Sequence, residues 1–260
     1  MTYTTLRSEK QGAACVITMM RSERRNAVSV QMMDDIIAAA RVAEADPAVR
    51  AIVLTGGDKF FSAGADLNEA LQVKTATEGI EYFGRWHKLN ATLEDVGKPV
   101  IAAIEGFCIT GGLELALACD LRVAGEGSTY AVTSSRIGTV AGAGGTQRLP
   151  RIVGMAHALD ILFAADPIPA AEAHRIGLIN RLVPKGQALA EALKLVQVYE
   201  KRAPLSLKLV KRAVRTGMQM DFASSIEFET AIVTTIYGTQ DKQEGISAFL
   251  EKREAKFQGR

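Results

Sequence analysis

Apolar and polar positions change rhythm several times along the 260-residue chain. From Leu6 to Met20 they read as a hairpin broken at Lys10-Gln11-Gly12, with Ala14-Cys15-Val16-Ile17-Thr18-Met19 as its second strand. Asn26-Ala27-Val28-Ser29 then leads into a helix to about Glu44, whose Met33, Ile36, Ile37 and Ala40 share one face until Asp46-Pro47 stops it. Val49 to Leu54 and Lys98 to Gly106 carry short continuous apolar runs that predict buried strands, and Leu121-Arg122-Val123-Ala124 a further short one. From Gly142 onward helical patterns dominate, separated by Pro150, Pro167, Pro169, Pro184 and Pro204, with one late strand over Leu178 to Val183. The order implies an α/β core of ββα units with parallel crossovers over residues 1–190, followed by a helical C-terminal region over 191–260. Two helices are expected after Ser224, split near Gly238-Thr239-Gln240, and their apolar Ile232, Ile236, Tyr237 and Phe249 suggest packing on another subunit.

Two strand-to-helix turns stand out, each punctuated by glycine. One is Phe61-Ser62-Ala63-Gly64-Ala65-Asp66-Leu67 and the other Gly111-Gly112-Leu113-Glu114-Leu115-Ala116. A helix start leaves N–H groups without intrahelical partners and carries a partial positive charge. Two such starts brought together could hold one oxygen as negative charge develops on it. Glu114, read alone, is a first-turn acid favoured by the helix dipole. Gly142-Ala143-Gly144-Gly145 lacks both the Gly-Lys-Ser/Thr of a phosphate loop and the dinucleotide spacing, so it reads as a turn that starts a helix and lines a pocket.

Composition narrows the classes. Hydrophobic content of 48% and charged content of 23% are ordinary for a globular protein, and a net charge of +2 gives no bias toward nucleic acid or membrane. The longest apolar stretches are too short to span a bilayer. Cys15, Cys108 and Cys119 lie in apolar runs and read as buried, reduced thiols, which places the protein in a reducing compartment, the cytoplasm. His87, His157 and His174 do not cluster, and no spacing suggests a metal site. Met1-Thr2-Tyr3-Thr4-Thr5 has neither a basic nor an apolar leader region, so no signal peptide is expected.

Taken with Lys98-Pro99-Val100-Ile101-Ala102-Ala103-Ile104-Glu105-Gly106, Cys119-Asp120, Gly142 to Leu149, Glu23-Arg24-Arg25-Asn26-Ala27 and Glu244-Gly245, the two turns make the chain resemble the enoyl-CoA hydratase/isomerase (crotonase) superfamily over essentially its whole length. The resemblance implies a spiral of ββα units, a homotrimer or a hexamer built as a dimer of trimers, and an acyl-CoA thioester as ligand. Coenzyme A is then part of the substrate, and no separate cofactor is implied. The amides of Ala65 and Gly111 map onto the family's oxyanion hole, with Ala63, Gly64, Asp66, Leu67 and Gly142 as substrate-lining neighbours. Asp66 on its own reads as an early-helix acid. Arg24 and Ala27 fall on the segment that runs beside the coenzyme, where an arginine suits a phosphate. Lys252 is a further candidate for a neighbour's phosphate. Arg148 reads as part of a structural network, and His87 as a surface or pocket-edge residue.

The resemblance breaks at one position. A hydratase of this family resembles a two-carboxylate machine. The first carboxylate maps onto Glu114, while the second falls on Ser134 in Ala131-Val132-Thr133-Ser134-Ser135. A serine can hold a water but does not exchange protons near neutrality without a base beside it. The favoured expectation is a hydratase-type lyase adding water to a 2-enoyl-CoA, with Glu114 as acid/base and Ser134 on the water. A one-carboxylate double-bond isomerase, another specialised lyase or hydrolase, and a non-catalytic acyl-CoA binder are the alternatives.

Overall fold

Residues 3–260 are described by the computed structural model of the chain; Met1 and Thr2, part of the segment expected to lack a leader, lie outside the described residues. The hairpin forms as β1 (Leu6–Gln11) and β2 (Ala14–Met19), antiparallel, with Gly12 in the left-handed region at the turn. Helix α1 (Val30–Ala45) starts where the Ser29 side chain accepts the Met32 amide and ends at Asp46. Strand β3 (Ala51–Thr55) pairs parallel with β2.

A four-residue helix α2 (Leu67–Ala70) and a long α3 (Ala76–Asp95) follow. The notable departure from the sequence reading is α3. The stretch between Leu67 and Lys98, to which the sequence pattern assigns no element, holds a 20-residue helix opened by a capping box between Thr75 and Glu78. It buries Tyr82, Trp86, Leu89 and Leu93 along one stripe.

Strands β4 (Val100–Ile104) and β5 (Phe107–Ile109) lead into α4 (Gly111–Ala118), which is buried on every side. Strand β6 (Leu121–Gly125) and β7 (Thr129–Ala131) come next, then α5 (Gly145–Val153), α6 (Met155–Ala164), β8 (Ile168–Pro169), α7 (Ala170–Arg175) and β9 (Arg181–Val183). The main sheet runs β1-β2-β3-β4-β6-β9, parallel from β2 onward, and a second sheet runs β5-β7-β8. The small sheet is built from strands of two or three residues, too short to show a period in sequence.

Both faces of the main sheet are covered, as its unbroken apolar strands require. On one face Ile17, Ile52 and Leu54 pack with Met33, Ile36, Leu93 and Leu115 from the helices. On the other, Val16, Val53, Ile101 and Val123 meet Ala188, Ala192, Leu195 and Val196 of α8 (Ala188–Glu200). The expected junction near residue 190 therefore falls inside a core helix. The outer helices begin with α9 (Pro204–Gly217) and continue through α10 (Phe222–Tyr237) and α11 (Gln240–Leu250). Ion pairs seat α9 on the core: Lys211 and Arg215 both reach Asp120, at 2.8 and 2.9 Å, and Arg215 also reaches Glu94 at 3.1 Å. Val214, Met218, Phe222, Phe249 and Leu250 of this outer region remain exposed.

Candidate active site

Three stretches of chain are stitched side by side at the ends of the strands. The Ile109 amide donates to the Ser62 carbonyl at 2.9 Å and the Phe61 amide to the Phe107 carbonyl at 3.0 Å, which locks the first glycine turn to the second. On the other flank the Val28 amide donates to the Gly64 carbonyl at 2.7 Å, the Asp66 amide to the Val28 carbonyl at 3.0 Å, and the Ala63 amide to the Arg25 carbonyl at 3.0 Å. Ala27 and Arg24 thus lie along the edge of the Ala63–Asp66 turn.

The amides of Ala65 and Gly111 are among those left over. Among the described residues, neither the Ala65 nor the Gly111 N–H donates to a protein acceptor. The two lie close together: a Cβ built on Gly111 falls 3.0 Å from the Ala65 nitrogen, and one built on Gly64 falls 3.2 Å from the Gly111 nitrogen. Gly64 sits at φ +107°, where a side chain is also strained. The Trp86 ring closes the other side of Gly111, within 2.9 Å of where a Cβ would stand. Only glycine fits between that ring and the Ala65 amide. Trp86 was not among the residues singled out from sequence.

Glu114 lies in the first turn of α4, 3% exposed, and its Oε1 accepts the Gly145 amide at 2.8 Å. Burial pushes its carboxyl above the ordinary range, opposed by the Gly145 and Ala143 amides and by the Arg148 charge. A carboxyl raised in this way is a better proton acceptor and donor pair than a surface glutamate. The turn that supplies those amides is itself held in place. The Ala143 carbonyl accepts from Asn90 Nδ2 at 2.7 Å and Arg148 Nη1 at 3.3 Å, while Arg148 grips Glu94 with two bonds of 2.7 Å. Arg148 is a structural residue in this arrangement. Gly142 packs against Phe83, where a Cβ would fall 2.5 Å from the ring.

Ser134 opens a short 3-10 turn, Ser134–Ile137, and is 4% exposed. Thr133, just before it, binds the residue just before Gly111: Thr133 Oγ1 lies 2.8 Å from Thr110 Oγ1, and the Thr133 amide donates to Thr110 Oγ1 at 3.0 Å. Ser134 is thereby tethered to the end of α4 that carries Gly111 and Glu114. Thr110 has φ +44° and ψ −111°, the geometry of a type II′ turn's first central residue, where glycine is the usual occupant. Holding a threonine there costs about 1–3 kcal/mol.

The remaining candidates divide. Asp66 caps α2, accepting the Asn68 amide at 3.0 Å, and pairs with Arg21 at 2.9 Å; its side chain is committed to structure. Leu67 is 62% exposed. Arg24, Arg25 and His87 are exposed, and neither arginine makes an ion pair among the described residues. Sequence reasoning missed Arg21 and Asn26. Buried Asn26 takes the Arg21 amide at 3.0 Å and donates to the Gly56 and Phe61 carbonyls, fixing the turn from below. Cys15, Cys108 and Cys119 are buried and free; burial pushes the Cys119 thiol up to about 12. Among the described residues no group of side chains is arranged to hold a metal ion, and no helix is long and apolar enough to cross a membrane.

Residues 9–260 match the family described as enoyl-CoA hydratase/isomerase. The chain is 38% identical over 258 residues to the crotonyl-CoA hydratase of Syntrophomonas wolfei, covering 99% of each protein. It is 37% identical over 246 residues to the short-chain-enoyl-CoA hydratase of Clostridium acetobutylicum, covering 94% of each. Its structure superposes on that of an enoyl-CoA hydratase from Bacillus anthracis with a TM-score of 0.93 at 29% identity, over 99% of this chain and 100% of that one.

Proposed function

The chain belongs to the enoyl-CoA hydratase/isomerase family, and from that premise we propose that it adds water to a 2-enoyl-CoA thioester, or removes it, through an enolate. One observation supports this most directly: the unpartnered amides of Ala65 and Gly111 lie together within one turn of the buried Glu114. The thioester oxygen takes a hydrogen bond from each amide. Glu114 removes a proton from water as the oxygen bonds to C3, and the C2–C3 π electrons move onto the thioester as enolate. The two amides hold that charge; removing one such donor costs about 3–4 kcal/mol of barrier in other enzymes. The proton then passes from Glu114 to C2, which closes the balance with a single carboxyl group. Ser134 holds the water. Coenzyme A enters as part of the substrate, and the route uses no separate cofactor.

Around this site, Ala63, Gly64, Leu67 and Gly142 line the acyl and pantetheine path, and Arg24 offers its free guanidinium to a phosphate. Asp66 supports the turn through its backbone and cap. The exposed apolar residues of α9 to α11 support self-association, which we take as a homotrimer, alone or stacked as a hexamer, and the buried free cysteines support a reducing compartment, which we take as the cytoplasm.

The test is spectroscopic. Crotonyl-CoA mixed with the protein should lose its conjugated-thioester absorbance, and no loss with any chain length removes the reading. Ser134 in place of an acid supports one second reading, a single-base isomerase. In that case a 3-enoyl-CoA gains conjugation in the protein's presence and takes up solvent deuterium.

A further inference from the structure

We propose that the Thr110–Thr133 hydroxyl pair is a positioning device, a strap that aims the Gly111 amide at the thioester oxygen. The inference rests on the oxyanion reading above and extends it to two residues outside the candidate constellation.

The Gly111 N–H lies in the peptide plane between residues 110 and 111, so the ψ angle of Thr110 sets its direction. That angle is −111° with φ at +44°, a conformation that a β-branched residue leaves unless held. Every polar atom of Thr110 is held. Its amide donates to the Ala131 carbonyl at 2.8 Å and its carbonyl accepts the Glu114 amide at 2.8 Å. Its hydroxyl accepts the Thr133 amide at 3.0 Å and meets the Thr133 hydroxyl at 2.8 Å. Three of the four bonds come from the end of β7 and the two residues beyond it, immediately before Ser134. One strap therefore sets the donor for the developing charge and the start of the segment that carries Ser134. Release of the Thr133 hydroxyl lets Thr110 relax, and the Gly111 N–H turns with it.

Variants at both ends test this. Thr133→Val keeps the shape and removes the hydroxyl. It should lower kcat on crotonyl-CoA about tenfold at little-changed KM, since loss of aim at the reacting atom is felt in the chemical step. It should also weaken acetoacetyl-CoA, whose enolate places charge on the thioester oxygen, about tenfold relative to butyryl-CoA, which carries none. Thr133→Ser restores both. In a Thr110→Gly background, where no side chain resists the backbone angle, Thr133→Val should change the binding ratio by less than about twofold. An unchanged preference in Thr133→Val, or an equal loss with and without Thr110→Gly, overturns the strap. A wild-type protein that never hydrates crotonyl-CoA, yet shows the thioester preference and loses it in Thr133→Val, overturns the hydratase reading and leaves the strap standing. Equal binding of both thioesters by the wild type overturns the strap together with the oxyanion role on which it rests, whether or not crotonyl-CoA is hydrated.

Discussion

The Gly145 amide donates to Glu114 Oε1 at 2.8 Å, and a Cβ at position 145 would stand 2.9 Å from that same oxygen. The carboxyl group is thus fixed by a residue with no side chain to obstruct it. Glu114→Gln keeps an acceptor for the amide and removes the base. Turnover of crotonyl-CoA should fall about 10²–10⁴-fold, while the affinity for a CoA thioester stays within a few-fold. Steady-state rates beside a binding isotherm check this. In the wild type the acid limb of the rate profile should lie above the ordinary glutamate value of 4.5, because burial raises the carboxyl.

The same burial has a sign in stability. With the folded carboxyl raised above its unfolded value, the unfolded chain gives up its proton first as pH rises, so the wild type loses stability between about 4.5 and the raised value. Glu114→Gln carries no such charge. It should be more stable than wild type at pH 7, with the gap closing as pH falls toward 4.5, by thermal unfolding across that range. A gap that widens on acidification contradicts the assigned direction.

The proposed function puts Ser134 at the place of a second acid. Ser134→Glu should raise the hydration rate at least about tenfold by supplying a second proton-transfer group. A rate unchanged or lowered, with thioester binding intact, would show that the segment after Thr133 does not reach the reacting carbons.

Asn90 is fully buried and its Nδ2 holds the Ala143 carbonyl at 2.7 Å. Asn90→Ala leaves that carbonyl with the longer Arg148 bond alone. The expected loss is about 1–3 kcal/mol in denaturant unfolding, together with a lower kcat, because Ala143 to Gly145 present the amides that face Glu114.

Solution mass tests the outer helices. Light scattering should give three or six times the 27.9 kDa chain. Replacing exposed Phe249 and Leu250 of the C-terminal region with glutamate should lower that mass. A monomer at micromolar concentration excludes the proposed assembly.

Much of this was legible in the chain. Continuous apolar runs located β3 and β4, the Lys10-Gln11-Gly12 break located the hairpin, and Pro204 marked the start of α9. Helix α3 was not read, although Thr75 and Glu78 formed a capping box and Tyr82, Trp86, Leu89 and Leu93 a stripe of helical spacing. Gly79 and Gly84 interrupted its propensity and masked both signals. The two turns could be named in advance because glycine marks where backbone must come close. That they meet depends on bonds between Ser62 and Ile109 and between Phe61 and Phe107, which are long-range and leave no local trace. The angle of Thr110 was invisible for the opposite reason: threonine is a poor sign of a left-handed backbone, and only its partners explain why it stays there.

The backbone stitching around the Ala63–Asp66 turn also decides where the chain tolerates a change of length. Residues 71–75, between α2 and α3, bond only to near neighbours in sequence. A loop inserted or trimmed there leaves both free amides in register, and acyl selectivity becomes something to be varied by grafting. One residue added between Ser62 and Ala65 has no such freedom, because Ser62, Ala63 and Gly64 are bonded to Ile109, Arg25 and Val28. It would slide Ala65 past Gly111 and disassemble the pair, whatever side chains were kept.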